Sequence, residues 1–162
     1  MKKKEFLNQL GRFFSDKGFS CKSNHFYIEL TDEVMIVFGL QMTAYGGGYC
    51  YMECGYCFKS INKYLPHPKF NQLNLNSGRI MTSHGKAIVF EQVDPEWFEN
   101  IKQVIEVEID TMTNLIKLGK NTFIQYYLSG RIKRSWYVLG DTTAAYFGLT
   151  RNDLAGHFVV DE

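Results

Sequence analysis

Residues 33–58, EVMIVFGLQMTAYGGGYCYMECGYCF, decide the fold of this chain. They begin with an apolar run at 34–40, pass through a glycine triplet at 46–48 and end with an aromatic run at 49–58. Two such runs, joined by residues that tolerate positive φ angles, are typical of buried strands in a hairpin. Because the first run is apolar on both faces, we predict that the pair lies at the centre of an antiparallel sheet.

The residues before this hairpin predict a helix and a further strand. Phenylalanine and leucine recur at helical spacing over residues 3–17, and Gly18 stands where a left-handed helix cap is expected. Phe19 should then turn back onto the helix. Over residues 26–30 apolar and polar side chains alternate, which indicates a half-buried strand.

A polar segment follows the central hairpin. Residues 60–78 contain two prolines and several asparagines and are expected to form a long surface connection. Residues 80–82 and 87–90 flank a polar tetrapeptide, which indicates a second hairpin.

The C-terminal half predicts one long helix and several short ones. Asp94 and Pro95 are a capping carboxylate and a proline suited to the first helical position, and an apolar stripe at helical spacing continues to residue 118. The remaining expectations are a helix at 122–129 capped by Asn121, a strand or loop at 136–139, a helix at 141–147, and a last short helix with Thr150 and Asp153 as its capping pair.

These elements predict an α+β fold in a single domain spanning residues 1–162. An antiparallel sheet of four or five strands, arranged as a meander, is packed by the N-terminal helix and by the long helix, with short helices at the C-terminal end. The composition agrees, because 45% hydrophobic and 22% charged residues are usual for a soluble globular protein.

Charge and segment composition exclude several classes of protein. The formal net charge is +1, so no global field attracts nucleic acid or an anionic membrane. No apolar stretch approaches the roughly 18 residues of a membrane span. Three lysines follow Met1, but polar residues stand where a signal peptide needs an apolar region, which favours a cytoplasmic protein.

Several short motifs within the first 60 residues belong together. They comprise Lys17, Gly18, Phe19, Lys22, Phe26, Tyr27, 34–38, Gln41, Cys54 and Gly55. This set resembles the small bacterial domain of unknown function numbered four-three-zero-four, and Asp94 to Phe98 stands where such a domain begins its later helix. The resemblance implies an α+β domain from a bacterium and supplies no catalytic residues.

Cys54 and Cys57 have the spacing of a redox or metal motif, with Cys50 nearby. Such a redox motif normally lies at a helix N-terminus, whereas these residues fall in a predicted strand, where positions three apart face opposite sides. No second pair completes a zinc site, and no two histidines have helical ligand spacing. We therefore expect buried structural thiols, no metal, no cofactor and no catalytic residue, although a thiol paired with a histidine in space stays open.

Two further sets of residues are candidate binding sites. The densest basic and aromatic cluster could bind a phosphate backbone or another anion, but its few charges do not favour nucleic acid. Its members are Arg131, Lys133, Arg134 and Trp136. Aromatic residues around the hairpin could line a small-molecule site between sheet and helix. These are Tyr45, Tyr51, Tyr56 and Trp97.

No constellation has the residue types at the spacing that catalysis needs. We therefore predict a non-enzymatic binding or interaction protein, one version of which neutralises a protein partner as bacterial immunity proteins do. The alternative is a small-molecule-binding or thiol-dependent enzyme. A deep pocket with converging polar groups would favour the alternative, and a flat aromatic patch would favour binding.

Overall fold

Five strands of one antiparallel sheet follow one another in chain order, and a sixth strand pairs with the fourth. The computed structural model of the protein describes residues 1–43, 47–62, 65–69, 72–129, 140–150 and 152–153. The strands are β1 (Ser20–Lys22), β2 (His25–Glu29), β3 (Val34–Met42), β4 (Tyr49–Phe58), β5 (Leu75–Arg79) and β6 (Ala87–Val89). The helices are α1 (Lys3–Asp16), α2 (Pro95–Lys117), α3 (Lys120–Leu128) and α4 (Gly140–Tyr146), with a 3-10 turn at Phe90–Gln92.

The central hairpin confirms the prediction from residues 33–58. Strands β3 and β4 pair without interruption from Val34 opposite Phe58 to Met42 opposite Cys50. Both strands are almost entirely buried, so each needs cover on its two faces. The α+β class, the antiparallel sheet, the N-terminal helix and the long later helix are likewise as predicted.

The helix α1 ends as its glycine predicts. Gly18 has a φ of 84°, its N–H donates to Ser15, and the N–H of Phe19 donates to the carbonyl of Phe14. This is the paired hydrogen-bond pattern of a Schellman cap. The ring centroids of Phe14 and Phe19 then lie 5.1 Å apart, so the cap also places Phe19 in the core beside the helix.

Helices cover one face of the sheet. Phe14 stacks on Phe26 of β2 with ring centroids 4.0 Å apart, and α2 buries Ile101, Ile105 and Met112 in the same cluster. Asp94 caps α2 by accepting from the N–H of Trp97 at 2.7 Å. Alternate residues of the central strands complete this core, namely Val34, Ile36, Phe38, Leu40, Cys50, Met52, Cys54, Tyr56 and Phe58.

The prediction of a surface connection over 60–78 is wrong for its second half. Residues 75–79 form β5, and Asn74 and Asn76 are buried although they are polar. Asn74 accepts hydrogen bonds from the N–H of Phe58 and the amide of Asn62. These asparagines satisfy backbone groups inside the core, a role that polarity alone does not reveal.

The second predicted hairpin is also wrong. Strand β6 pairs with residues 49–51 of β4, next to the segment of β4 that pairs with β5. Strands β5 and β6 therefore lie along the same edge of β4, and residues 80–86 form the loop between them. This loop contains a single bridge, between Thr82 and Gly85. The strand β1 was not predicted; it joins β2 through Ser23 and Asn24, which have φ angles of 50° and 61°. Two positive φ angles in a two-residue loop make a type I′ turn.

The helices α3 and α4 agree with their predictions apart from one cap, whereas most of the predicted last short helix lies outside the described residues. Helix α3 begins after Gly119 rather than after Asn121. Thr150 and Asp153 make the expected reciprocal cap, because each backbone N–H donates to the other's side chain. Residues 136–139 lie outside the described residues. In the described part of the chain, no helix is both long enough and apolar enough to cross a bilayer.

Candidate functional site

The sheet face opposite the helices has two halves. A second, smaller core covers one half, where Leu73 packs with residues of β2, β3 and β4. The ring of His67 lies 5.2 Å from Tyr27 at the rim of this core. The sheet residues of the smaller core are Tyr27, Met35, Val37 and Cys57.

The other half carries a straight row of five residues, one from each of β1 to β5. Register places Lys22 opposite His25, His25 opposite Gly39, Gly39 opposite Glu53, and Glu53 opposite Arg79. We call these five residues the outer row. Since partners in adjacent strands share a face, the row runs perpendicular to the strands across the whole sheet.

Gly39 leaves space in the middle of the row for the imidazole of His25. A Cβ at Gly39 would lie 2.9 Å from Cδ2 of His25, so the ring lies across the glycine. The Nδ1 atom of His25 donates to the carbonyl of Ser23 at 2.9 Å, which leaves Nε2 for other contacts.

Arg79 is held in place by three side chains from two neighbouring strands. Its Nε donates to Glu53 at 3.0 Å, and its Nη2 donates to Gln41 at 2.9 Å. The guanidinium carbon lies 3.8 Å from the ring centroid of Tyr51, a cation–π contact. This network fixes the arginine side chain, which is long and mobile on most protein surfaces.

Tyrosine rings extend the surface beside the row. Tyr49 and Tyr51 point to the same face of β4, with centroids 5.7 Å apart and planes at 86°. Both rings are half-buried. We call the outer row together with Gln41, Tyr49 and Tyr51 the outer patch.

Of the aromatic residues predicted to line one ligand site, the described ones lie on opposite faces of the sheet. Tyr51 lies on the outer patch, whereas Tyr56 and Trp97 are buried in the core on the helical face. The hydroxyl of Tyr56 donates to the carbonyl of Met112 at 3.4 Å, and Nε1 of Trp97 donates to Thr82 at 3.1 Å. Their polar atoms are therefore used within the fold. Tyr45 lies outside the described residues.

The basic and aromatic cluster of Arg131, Lys133, Arg134 and Trp136 also lies outside the described residues. Its binding role stays a prediction.

The cysteines of β4 lie where the strand period predicts. Cys54 belongs to the large core and Cys57 to the small one on the opposite face. Burial raises the pKa of all three thiols of this strand, that of Cys50 to about 12, and Glu108 raises the pKa of Cys54 further. Raised pKa values suppress the thiolate that nucleophilic chemistry needs.

Two open hollows lie at the surface of the described residues, and the second is lined almost entirely by polar side chains. One, of about 620 Å³, lies between the start of α1 and the end of the central hairpin and is lined by both Lys3 and Glu91. The other, of about 520 Å³, lies beside the start of α2, between His84 and Glu96. Among the described residues, no group of three or more metal-binding side chains is close enough to hold an ion.

Sequence reasoning missed the outer row. Lys22 is noted in the sequence only as a residue that matches the family, His25 is given no role, and Arg79 directly follows the expected surface connection of 60–78. The alternation in β2 and β4 indicates which residues face outward, but the row depends on pairing between strands. Without β1 and β5 as strands, its two charged ends could not be placed.

Comparison with known proteins identifies one family. A family model described as "Domain of unknown function (DUF4304)" matches residues 10–117, from the later half of α1 to the end of α2. The match includes every strand of the sheet and all five residues of the outer row. No curated protein and no solved structure matches the chain.

Proposed function

The chain belongs to the DUF4304 family, and we propose that it is a non-enzymatic binding protein that docks a protein partner on the outer patch. The observation that supports this is the outer row itself. Five residues from five strands share one face of the sheet, on the half that the smaller core leaves uncovered.

The composition of the outer patch suits a protein interface. Tyrosine and arginine are the residues that most often contribute strongly to binding at the centre of interfaces. Here Arg79 and Tyr51 are already in contact, so little side-chain freedom is lost when a partner binds. A sheet face with an ordered arginine supports docking of a protein more than enclosure of a small molecule, which needs a concave site.

One version of the proposal is neutralisation of the partner, as in small bacterial immunity proteins. It is supported only by analogy of size and class. A bacterial, cytoplasmic location belongs to the same proposal. It is supported by four cysteines that form no disulfide, which is usual in a reducing compartment.

The alternative of a small-molecule-binding or thiol-dependent enzyme has less support. The space between sheet and α2 is occupied by Tyr56 and its neighbours. The buried thiols of β4 all have raised pKa values, so they are poor nucleophiles at neutral pH.

The test is affinity capture from the host with matched variants. The wild-type chain is compared with a Lys22→Glu, Tyr51→Ser variant of the outer patch. The control is a Lys117→Glu, Val107→Ser variant, which makes the same kind of change on the exposed side of α2. We expect the wild type and the control to retain one protein in stoichiometric amount and the patch variant to lose it.

Two results would contradict the proposal. One is that the wild type retains no stoichiometric protein. The other is that the patch variant retains the same protein as well as the wild type does, which would place the interface elsewhere.

A further inference from the structure

The outer row has a cation at each end. Lys22 lies on β1 and Arg79 on β5, and both side chains are exposed. Strands in a sheet are about 4.8 Å apart, so four spacings put the backbones of Lys22 and Arg79 about 19 Å apart. The Arg79 side chain reaches back across β4 as far as Gln41 of β3, so its charge lies closer to the middle of the row.

The negative charge within the row is already paired. The side chain of Glu53 is only 13% exposed, and its carboxylate accepts from Nε of Arg79. His25 aside, the row carries one more positive than negative charge. A partner meets the exposed lysine and guanidinium before it meets this carboxylate.

Arg79 keeps hydrogen-bonding capacity for a partner. A guanidinium has five N–H donors, and one donates to Glu53 and one to Gln41. The other three have no acceptor among the described residues. The ring of Tyr51 covers one face of the guanidinium, and the side chain remains 38% exposed. Planar donors held in this way match a carboxylate, which can accept two parallel hydrogen bonds.

From these observations we infer that the partner presents an acidic protein surface, with carboxylates that pair with Arg79 and Lys22. This rests on the proposed function, because it names the chemistry of the protein that docks on the outer patch. Nucleic acid is the poorer fit. Its binding depends on neutralising many phosphates, and the row offers two cations beside a carboxylate on a chain of net charge +1.

The test uses a displayed library of random peptides, selected on the full-length protein. We expect the selected peptides to be rich in aspartate and glutamate and to bind more weakly as salt is raised. Arg79→Gln should weaken binding by about tenfold or more, and Lys22→Gln by about threefold. Lys117→Gln, the same charge change on α2, should have no effect.

Arg79→Lys separates charge from geometry. It keeps the cation but removes the planar fork, so binding should fall nearly as far as with Arg79→Gln. Because Arg79 also contacts Glu53 and Gln41, each variant is checked by its urea unfolding midpoint. Within the described residues the Lys22 side chain makes no hydrogen bond or ion pair, so Lys22→Gln should fold normally and keeps the test decisive.

The possible failures are distinguishable. Peptides that need Tyr51 but are neutral or basic, and that ignore salt and Arg79→Gln, overturn the acidic partner and leave the proposed function standing. A library without peptides that depend on Tyr51, Lys22 or Arg79 overturns both. A labelled single-stranded oligonucleotide that binds the outer row more tightly than the selected peptides overturns the inference in favour of nucleic acid.

Discussion

The backbone N–H of Phe58 donates to the side-chain oxygen of Asn74 at 2.6 Å, inside the core at the end of the central strand. Asn74 also accepts from Asn62 and donates to Thr143 of α4. One buried amide therefore joins β4, the segment after it and a C-terminal helix. A buried donor that loses its acceptor is costly, so this contact allows a direct test.

Asn74→Ala should lower the free energy of unfolding by about 1–3 kcal/mol, because the N–H of Phe58 is left without a partner. Urea unfolding gives the value. Asn114→Ala, on the exposed side of α2, is the control and should change it by less than about 0.5 kcal/mol. Equal effects of the two variants would show that the buried amide is not needed.

Alanine substitutions at two glycines, one inside the first helix and one at its cap, should change the free energy of unfolding in opposite directions. Gly18 has a φ of 84°, where a Cβ is strained, so Gly18→Ala should destabilise the protein by about 1 kcal/mol. Gly11 lies inside α1 with open space around its Cα, so Gly11→Ala should stabilise it by about 0.5–1 kcal/mol. The melting temperatures of the two variants measure both changes. If both temperatures shift in the same direction, the cap assigned to Gly18 is contradicted.

Gly55 should tolerate no side chain. A Cβ there would lie 2.4 Å from the carbonyl oxygen of Leu75, which is backbone and cannot move without separating β4 from β5. Gly55→Ala should cost about 1–3 kcal/mol or more. Gly48→Ala, where a Cβ meets nothing within 4 Å, is the matched control and should be close to neutral.

Alkaline pH should destabilise the protein through its buried thiols. Burial raises the pKa of Cys50 from 9.0 to about 12, so the folded state keeps a proton that the unfolded chain releases above pH 9.0. The stabilisation is complete below pH 9.0 and is lost as the pH rises towards 12. Cys50 alone lowers the free energy of unfolding by about 1.4 kcal/mol per pH unit in this window.

Urea midpoints measured between about pH 8 and about pH 11 test this slope. Cys50→Ala should make the decline less steep. A stability that stays constant above pH 9 would contradict the burial of these thiols.

Alkylation should distinguish the exposed cysteine from the other three. Cys21 is exposed, whereas Cys50, Cys54 and Cys57 are buried. Iodoacetamide at mildly alkaline pH should add one group to the native protein and four after denaturation, as read by mass spectrometry. Cys21→Ser should remove the native adduct. Rapid labelling of Cys57 instead would revive the thiol-dependent alternative.

Local patterns were sufficient for the elements that depend on neighbours in the chain. The Schellman cap at Gly18, the Asp94 cap of α2 and the reciprocal pair of Thr150 and Asp153 each join residues at most five positions apart. Their hydrogen bonds depend on backbone geometry that the residue types themselves favour. The central hairpin could also be predicted from the sequence, because two long apolar runs are stable only when they are buried.

The errors fall where a residue's environment comes from distant parts of the chain. Three of residues 75–78 are polar or glycine, so nothing in their pattern indicates a buried strand. These four residues are buried because Gly55 lets the backbone of β5 approach closely and because the amides of Asn74 and Asn76 have partners in the core. A polar residue can be buried where the fold supplies such partners.

The sequence by itself determined the α+β class, the buried central hairpin and the opposite-facing cysteines, because strand and helix periods set which side chains share a face. Only the tertiary structure decided that Lys22, His25, Gly39, Glu53 and Arg79 form one row. The order and register of five strands result from the packing of the whole sheet, and residues up to 57 positions apart are brought together without any local signal.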